Sequence, residues 1–417
     1  MRTYISTGRR RLRATLATAL VVVSLALVAG VAAMLISGGG RARGERGRQA
    51  ATTPRAHLSA SPSASVSPSP TPTLAWTGPA SDKLRLTLRT VIGGYISPKS
   101  VVATQTGLVF AQNMMYRHTI TVYDTRTFKL QKTISDSVQL SKFGLKGYSG
   151  TVQGAPVEAA VSVDGTHIYV SNYSMWGPGF YHQGGDIGGP GGGVDPSFLY
   201  RIDLWKLKID QVIKVGSVPK YVAVTPDGKY VLVTNWISYT LSVVDIAKGK
   251  EIRHIYLGPY PRGIAVDPDS RFAYVAVMGS YNIAKVDLKS FKVSWISGVG
   301  SAPRHVVISP DGRRLYATLN GEGNVAKIDL KTRKVIDKVA TGTEPRSMCM
   351  AADGRSLYVV NYRSNTVSKI RTGDMKVIQV VPTNGNPIGI TYDNATHDLW
   401  VACYNGSIMV FHEARGT

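Results

Sequence analysis

Pro219-Lys220-Tyr221-Val222-Ala223-Val224-Thr225-Pro226-Asp227-Gly228 returns two periods later as Pro303-Arg304-His305-Val306-Val307-Ile308-Ser309-Pro310-Asp311-Gly312. The leading proline recurs at a constant step of 42 residues, at Pro219, Pro261, Pro303, Pro345 and Pro387. Weaker copies begin at Pro98 and Pro156. A fixed period near 40 residues, built from short β-type segments, is the mark of a propeller blade.

One copy shows the parts. Lys220 to Thr225 reads as a first strand, and Pro226-Asp227-Gly228 turns the chain. Glycine supplies the positive φ there and aspartate caps the turn. Tyr230 to Thr234, Leu241 to Asp245 and Glu251 to Tyr256 read as three further strands. Four short strands with tight turns make one antiparallel sheet. First turns recur at Asp164-Gly165, Asp311-Gly312 and Asp353-Gly354; the copy at Asp269-Ser270 has serine for glycine. Third strands end in Asp124, Asp203, Asp245, Asp287 and Asp329, which we read as turn chemistry, not catalysis.

The last copy, Pro387 to Phe411, supplies three strands and no clear fourth. Leu84 to Ile92 looks like an orphan fourth strand ahead of the first copy. Joining the two closes the ring and removes a sheet edge. The fold expected over residues 83–417 is therefore all-β: a seven-bladed β-propeller of four-stranded antiparallel blades, closed by the N-terminal strand completing the last blade.

The second strands read Leu232-Val233-Thr234-Asn235, Tyr358-Val359-Val360-Asn361 and Tyr169-Val170-Ser171-Asn172. With the Pro-Asp-Gly turns, residues 84–417 resemble the YVTN-repeat β-propellers, the group that includes periplasmic YncE-like proteins. The resemblance implies the fold and an exported setting. Members include binding proteins, surface-layer proteins and parts of redox enzymes, and related seven-bladed propellers include lactonases, so it does not select one function. The motif asparagine is Val277, Leu319 and Cys403 in three copies, so it is not a uniform functional residue.

Residues 14–36 carry no charge and are long enough to span a bilayer as a helix. Arginines flank the run on both sides, at Arg9, Arg10, Arg11 and Arg13 before it and Arg41, Arg43, Arg46 and Arg48 after it. Glu45 tips the balance, and the positive-inside bias places residues 1–13 in the cytoplasm. We expect an uncleaved signal anchor, with a cleaved signal peptide as the competing reading. Residues 37–82, rich in Ser, Pro and Thr, form a disordered linker. The expected location is the cell membrane, single-pass, with the propeller outside the cytoplasm and monomeric.

The formal charge is +23. Ten arginines against Glu45 occupy residues 1–55, while the remainder holds 39 basic and 25 acidic residues. So basic a folded region favours anionic partners. Cys349 and Cys403 match no metal spacing, and two free thiols are expected in preference to a disulfide.

In an antiparallel blade, second-to-third loops and inter-blade links share one face, here called the top. Both long insertions, about Ser137 to Gly154 and Ser174 to Ser197, belong to it. The residue after each anchor proline is Lys99, Lys220, Arg262, Arg304 and Arg346, with Val157 and Ile388 as exceptions. These should ring the top of the central channel. A second ring follows the YVTN-type motif: Met114, Tyr173, Trp236, Met278, Asn320, Tyr362 and Tyr404, with Trp176, Phe180, Tyr181 and His182 added by the second insertion. Cations with aromatics on one face suit anionic or sugar ligands, and less well single-stranded nucleic acid. Ordinary packing and pairing of these side chains is the competing reading.

Gly188 to Gly193 is not a phosphate loop, because no lysine and helix follow it. His182 and Asp186 alone do not make a metal site, and neither metal nor cofactor is expected. For catalysis the best pair is Glu158, an inner-strand carboxylate near the top, with His305. The sequence therefore points first to a tethered binding platform for an anionic or carbohydrate envelope polymer. The alternatives are a lactonase- or lyase-like enzyme at the channel mouth, and a surface module contacting other envelope proteins.

Overall fold

The computed structural model describes residues 78–416. The expected anchor and most of the linker lie outside them. Among the described residues no helix is long and apolar enough to cross a membrane.

Seven four-stranded antiparallel sheets are present. Their innermost strands are Ser100–Ala103, Pro156–Val161, Pro219–Val224, Pro261–Val266, Pro303–Ile308, Pro345–Met350 and Pro387–Asp393. Each packs on the next, and the seventh on the first, which closes the circle. The apolar runs of the second strands explain the stacking. Every residue of Tyr230–Asn235 and of Ser356–Asn361 is buried, as strands covered on both faces require. Outermost strands such as Lys250–Tyr256 face solvent and carry the polar residues.

The turns follow the sequence closely. Gly165, Gly228, Gly312 and Gly354 take φ of 67–69°. Asp164, Asp227, Asp311 and Asp353 each accept the amide N–H two residues on. Ser270 takes φ 55° where the other copies use glycine. Its hydroxyl accepts the amide of Asp227 in the preceding blade. The acids that end third strands cap their turns: Asp287, for example, accepts the amides of Lys289 and Ser290.

Leu84–Ile92 pairs antiparallel with Ser407–Arg415 and is the outer strand of the seventh blade. The fold begins slightly before residue 83, since Ser81–Lys83 is a 3-10 turn with Ser81 fully buried. Its hydroxyl and amide bind Asp353, a turn residue of blade 6. A bulge at Arg89 frees that side chain to pair with Asp398 at 3.0 Å. The same guanidinium lies 4.9 Å from the Phe128 ring of blade 1.

Glycine has a packing role at two inner-strand positions. A Cβ on Gly263 would stand 2.7 Å from His305 Cα, and one on Gly389 would stand 2.6 Å from Ser100 Cα. Adjacent blades approach backbone to backbone there, so the ring is tightest just below its top.

The two insertions fold onto each other. Ser137–Val138 pairs with Val152–Gln153, and Gln153 pairs in turn with Trp176. Tyr148 stacks on Phe180 at 5.2 Å, with Phe198 edge-on beneath both. Cys349 and Cys403 are free thiols, and burial pushes the Cys403 thiol up to about 12.

Candidate functional site

A repeated backbone corner builds the site. The residue before the anchor proline has a left-handed backbone in five copies: Val218, Tyr260, Ala302, Glu344 and Asn386, with φ of 51–61°. None is glycine, and such a residue costs about 1–3 kcal/mol unless its surroundings fix it. Here each carbonyl accepts the amide of the residue after the YVTN-type motif: Trp236, Met278, Asn320, Tyr362 and Tyr404. The proline then starts the inner strand and aims the next side chain across the mouth. In blades 3 to 6 the corner therefore places a cation beside the residue that follows the motif, whereas in blade 7 it carries Ile388 and in blade 1 Lys99 arrives without it.

The motif asparagines support the same corner. The side-chain amides of Asn235 and Asn361 donate to Thr240 and Ser242, and to Thr366 and Ser368, at 2.8–3.1 Å. They tie second strands to third strands at the top and serve the architecture.

The five cations converge. Lys99, Lys220, Arg262 and Arg304 are 3–7% exposed, and Arg346 is half-buried. Lys99 pairs with Glu158 at 3.3 Å, Lys220 with Asp186 at 2.9 Å and Arg346 with Glu344 at 3.0 Å. No carboxylate of the described residues lies within 4.0 Å of Arg262 or Arg304. Among the described residues the Arg262 guanidinium has no hydrogen-bond partner; it lies 5.8 Å from the Trp236 ring. Among the described residues Arg304 donates only to the thioether of Met278, at 3.7 Å.

Electrostatics record the crowding. Burial and then Arg262 push Lys220 down to about 7, against the pull of Asp186. Burial holds Lys99 well below its ordinary range, with Glu158 opposing and Arg262, Arg304 and Lys220 adding to the shift. Arg304 is lowered by burial, then by Arg262 and Arg346. Partial burial works against ionisation of Asp186, but Lys220, Tyr173 and Arg262 override it and bring it to about 2.

Aromatic rings line the same mouth. The Lys220 ammonium lies 4.2 Å from the Tyr173 ring and 5.1 Å from Trp236. Arg346 stacks over Tyr362 at 3.5 Å, and Tyr362 meets Tyr404 edge-on at 6.2 Å. Burial raises the Tyr404 phenol against the pull of Arg262, Arg304 and Arg346, so its hydroxyl stays a donor. Of the expected ligand-binding residues, the structure brings together Lys99, Lys220, Arg262, Arg304, Arg346, Tyr173, Trp236, Tyr362 and Tyr404.

Trp176 and His182 stand apart. Trp176 packs edge-on to His118 at 5.1 Å, and the His182 backbone is held by Asp195. Neither makes a hydrogen bond, ion pair or ring contact with the cation cluster. Asp186 is the insertion residue that reaches it, and it does so away from His182. Its carboxylate, 77% exposed on the solvent side, accepts from Lys220 Nζ and from Tyr173 Oη at 3.1 Å. Trp236 Nε1 donates to the Asp186 carbonyl at 3.0 Å, and Tyr239 and Tyr260 donate to the Gly188 carbonyl. The glycine run is thus a strap laid across blade 3.

Just inside the mouth the channel holds a cavity of ≈ 500 Å³ lined by all seven inner strands, among them Glu158, Tyr221, His305 and Cys349. Burial, Arg262, Arg304 and Lys99 push His305 down to about 3, so the imidazole is neutral. Its Nε2 faces the Tyr221 hydroxyl at 3.4 Å. No hydrogen bond or ion pair joins it to Glu158, which is engaged by Lys99.

Sequence reasoning missed a metal-type cluster at the lower end of blade 2. Ligand atoms of His167, Asp203 and Asp210 lie within 4.8 Å of one another. Arg201 forks onto both oxygens of Asp210, at 2.9 and 3.0 Å, and supplies the positive charge there.

Residues 292–395 match the model of the cytochrome D1 heme domain family. No curated protein matches. Among solved structures the chain is similar to Kuenenia stuttgartiensis hydrazine synthase. The TM-score is 0.61 at 19% identity, over 78% of this chain and 98% of that one. These likenesses show the propeller fold.

Proposed function

We propose that this protein is a binding platform whose site is the top mouth of the channel, and that its ligand is anionic. The observation that carries the reading is the convergence of five basic side chains, two of them without a carboxylate partner. Buried like charges repel strongly at low dielectric, so an anion placed among them gains from all five. The charge pattern of the N-terminus supports a propeller tethered outside the cytoplasm, where anionic or glycan envelope polymers are at hand. The depth of the cations means that a polymer would engage them by a pendant or terminal anionic group, its backbone lying over the aromatic rim.

The family match raises the question of a haem. The histidine and cysteine of the matched segment do not fit one. Haem iron needs an axial His, Cys, Met or Tyr. His305 is the one histidine in the matched segment, and its Nε2 faces Tyr221. Burial raises the Cys349 thiol and keeps it protonated. The acid–base alternative also lacks its geometry, because Glu158 and His305 are held by different partners.

The test is retention of full-length protein on immobilised poly-L-glutamate or dextran sulfate. Arg262→Ala/Arg304→Ala/Arg346→Ala should reduce salt-sensitive retention by about tenfold or more. Unchanged retention in that variant removes the proposal.

A pH dependence follows from Lys220, which faces Asp186, Arg262, Arg304, Lys99, Tyr173 and Trp236. Its pKa is depressed to about 7 in the free protein. A bound anion favours the protonated form, so below pH 7 binding needs no proton uptake. Above it binding must take one up. Affinity for sulfate, which does not titrate in this range, should therefore fall as pH rises from 6 to 8.5, by at most about tenfold per unit. Calorimetry in two buffers of different ionisation heat would read the proton directly. Affinity independent of pH would mean that Lys220 does not contact the anion.

A further inference from the structure

We propose that the contacting group of the ligand is a compact dianion, a phosphate monoester or a paired carboxylate, seated between Arg262 and Arg304. This rests on the reading of the mouth as an anion site and narrows it.

The charges select the valence. Three of the five cations already have a carboxylate within 4.0 Å, each from this chain. Arg262 and Arg304 do not, and they enter from neighbouring blades at equivalent positions. Each guanidinium offers five N–H donors in a planar fork that matches carboxylate and phosphate oxygens. Among the described residues Arg262 spends none of these on a hydrogen bond, and Arg304 spends one on a thioether. Both side chains are more than nine-tenths buried. A single-charge ligand would leave one guanidinium unneutralised, and a trianion would exceed the surplus. Two charges on one small group close the balance.

The surroundings select the size. Arg346 and the Tyr404 phenol lie near enough to the pair to act on its ionisation. Trp236 lies beside Arg262 and Met278 beside Arg304. Asp186 already places one carboxylate in the cluster, on Lys220 at 2.9 Å. The chain thus carries a tethered example of the oxygen chemistry this mouth accepts. The opposite arc of the ring is apolar at Val157 and Ile388, and its lysine is matched by Glu158. The anion's seat is therefore off-centre, on blades 4 and 5.

The experiment titrates full-length protein with phenyl phosphate, succinate, sulfate and acetate at constant ionic strength, read by calorimetry and by thermal shift. Phenyl phosphate or succinate should bind at least about tenfold tighter than acetate, and the preferred one identifies the source. Arg262→Gln and Arg304→Gln should each erase that preference. Arg304→Lys, which keeps charge and loses the fork, should weaken it by about tenfold. Lys331→Gln, remote from the mouth, is the control. A folded Arg304→Gln variant that still prefers dianions overturns the proposal. So does equal binding of acetate and the dianions by the parent protein. If no small dianion binds but polymer retention still depends on Arg262, Arg304 and Arg346, the dianion is wrong and the anion platform stands. Loss of both signals removes both.

Discussion

Lys369→Met is expected to cost the propeller about 3–5 kcal/mol, the loss typical when one member of a buried ion pair is removed. Lys369 is completely buried. Its ammonium has three donors and three partners: the carbonyls of Ser81 and Leu84 at 2.7 and 2.8 Å, and Glu413 Oε1 at 2.5 Å. The Glu413 carboxylate also accepts from Tyr358 and Tyr392, at 2.6 and 2.8 Å. These two phenols stack face to face at 5.3 Å. The network joins blade 6, blade 7 and the N-terminal strand at one point. Methionine would leave a buried carboxylate with two phenols and no cation. It would also leave two backbone carbonyls at the start of the clasp without a donor.

The damage should be local first. Amides of Leu84–Ile92 are expected to exchange faster in Lys369→Met than those of Tyr230–Asn235, which the network does not touch. Lys369→Met/Glu413→Leu should recover part of the loss by removing the stranded charge, at the expense of the carboxylate that accepts from both phenols. Denaturant midpoints of the two singles and the double give the coupling directly. A loss below about 1 kcal/mol in the single variant would show that the closure depends on strand pairing alone.

The clasp also marks how far the sequence could be read. Leu84 to Ile92 is legible as an orphan strand because its fourth-strand partner is missing at the other end of the chain. Lys369 and Glu413 are not legible as a pair, since an isolated Lys in a third strand looks like any outer-face charge. The cation ring is legible for a different reason. A constant period transfers geometry, so five residues that follow five prolines must occupy equivalent places in the circle. The left-handed residue before each proline escapes notice, because Val, Tyr, Ala, Glu and Asn share no side-chain chemistry that requires positive φ. What they share is a position, and the hydrogen bond of the carbonyl enforces the conformation.

The insertions lie outside the period, and there the reading loses its support. Sequence alone groups Trp176 and His182 with the mouth because they sit in a top-face loop near other aromatics. The loop instead folds back on the first insertion, and stacking of Tyr148 on Phe180 commits that part of it to packing. Asp186 reaches the cations because Trp236, Tyr239 and Tyr260 hold the strap by its backbone. Those donors belong to blades 3 and 4, about 50 residues and more further along the chain. No local pattern announces them.

Arg304→Met should stabilise the ligand-free propeller while erasing its preference for dianions. The substitution keeps an unbranched apolar stem beside Met278 and deletes a charge that burial and two neighbouring guanidiniums disfavour. Exchange of a buried ion pair for apolar side chains of similar volume is often neutral or gains about 1–4 kcal/mol. Arg304 is a favourable case because removing it strands no carboxylate. It also relieves Arg262, Lys220 and Lys99, each of which it pushes toward neutrality or shares repulsion with. The gain should shrink in 1 M salt, where solvent ions screen the mouth, and it should reverse in saturating dianion, where the parent protein alone gains binding energy. Both signs can be read from thermal denaturation of the two proteins with and without sulfate. A less stable Arg304→Met protein at low salt would mean that the guanidinium has a favourable internal partner, and the cluster would then be architecture instead of a site. A more stable one would show folding stability given up to hold two cations open, which a chain gains nothing by keeping unless an anion comes to them.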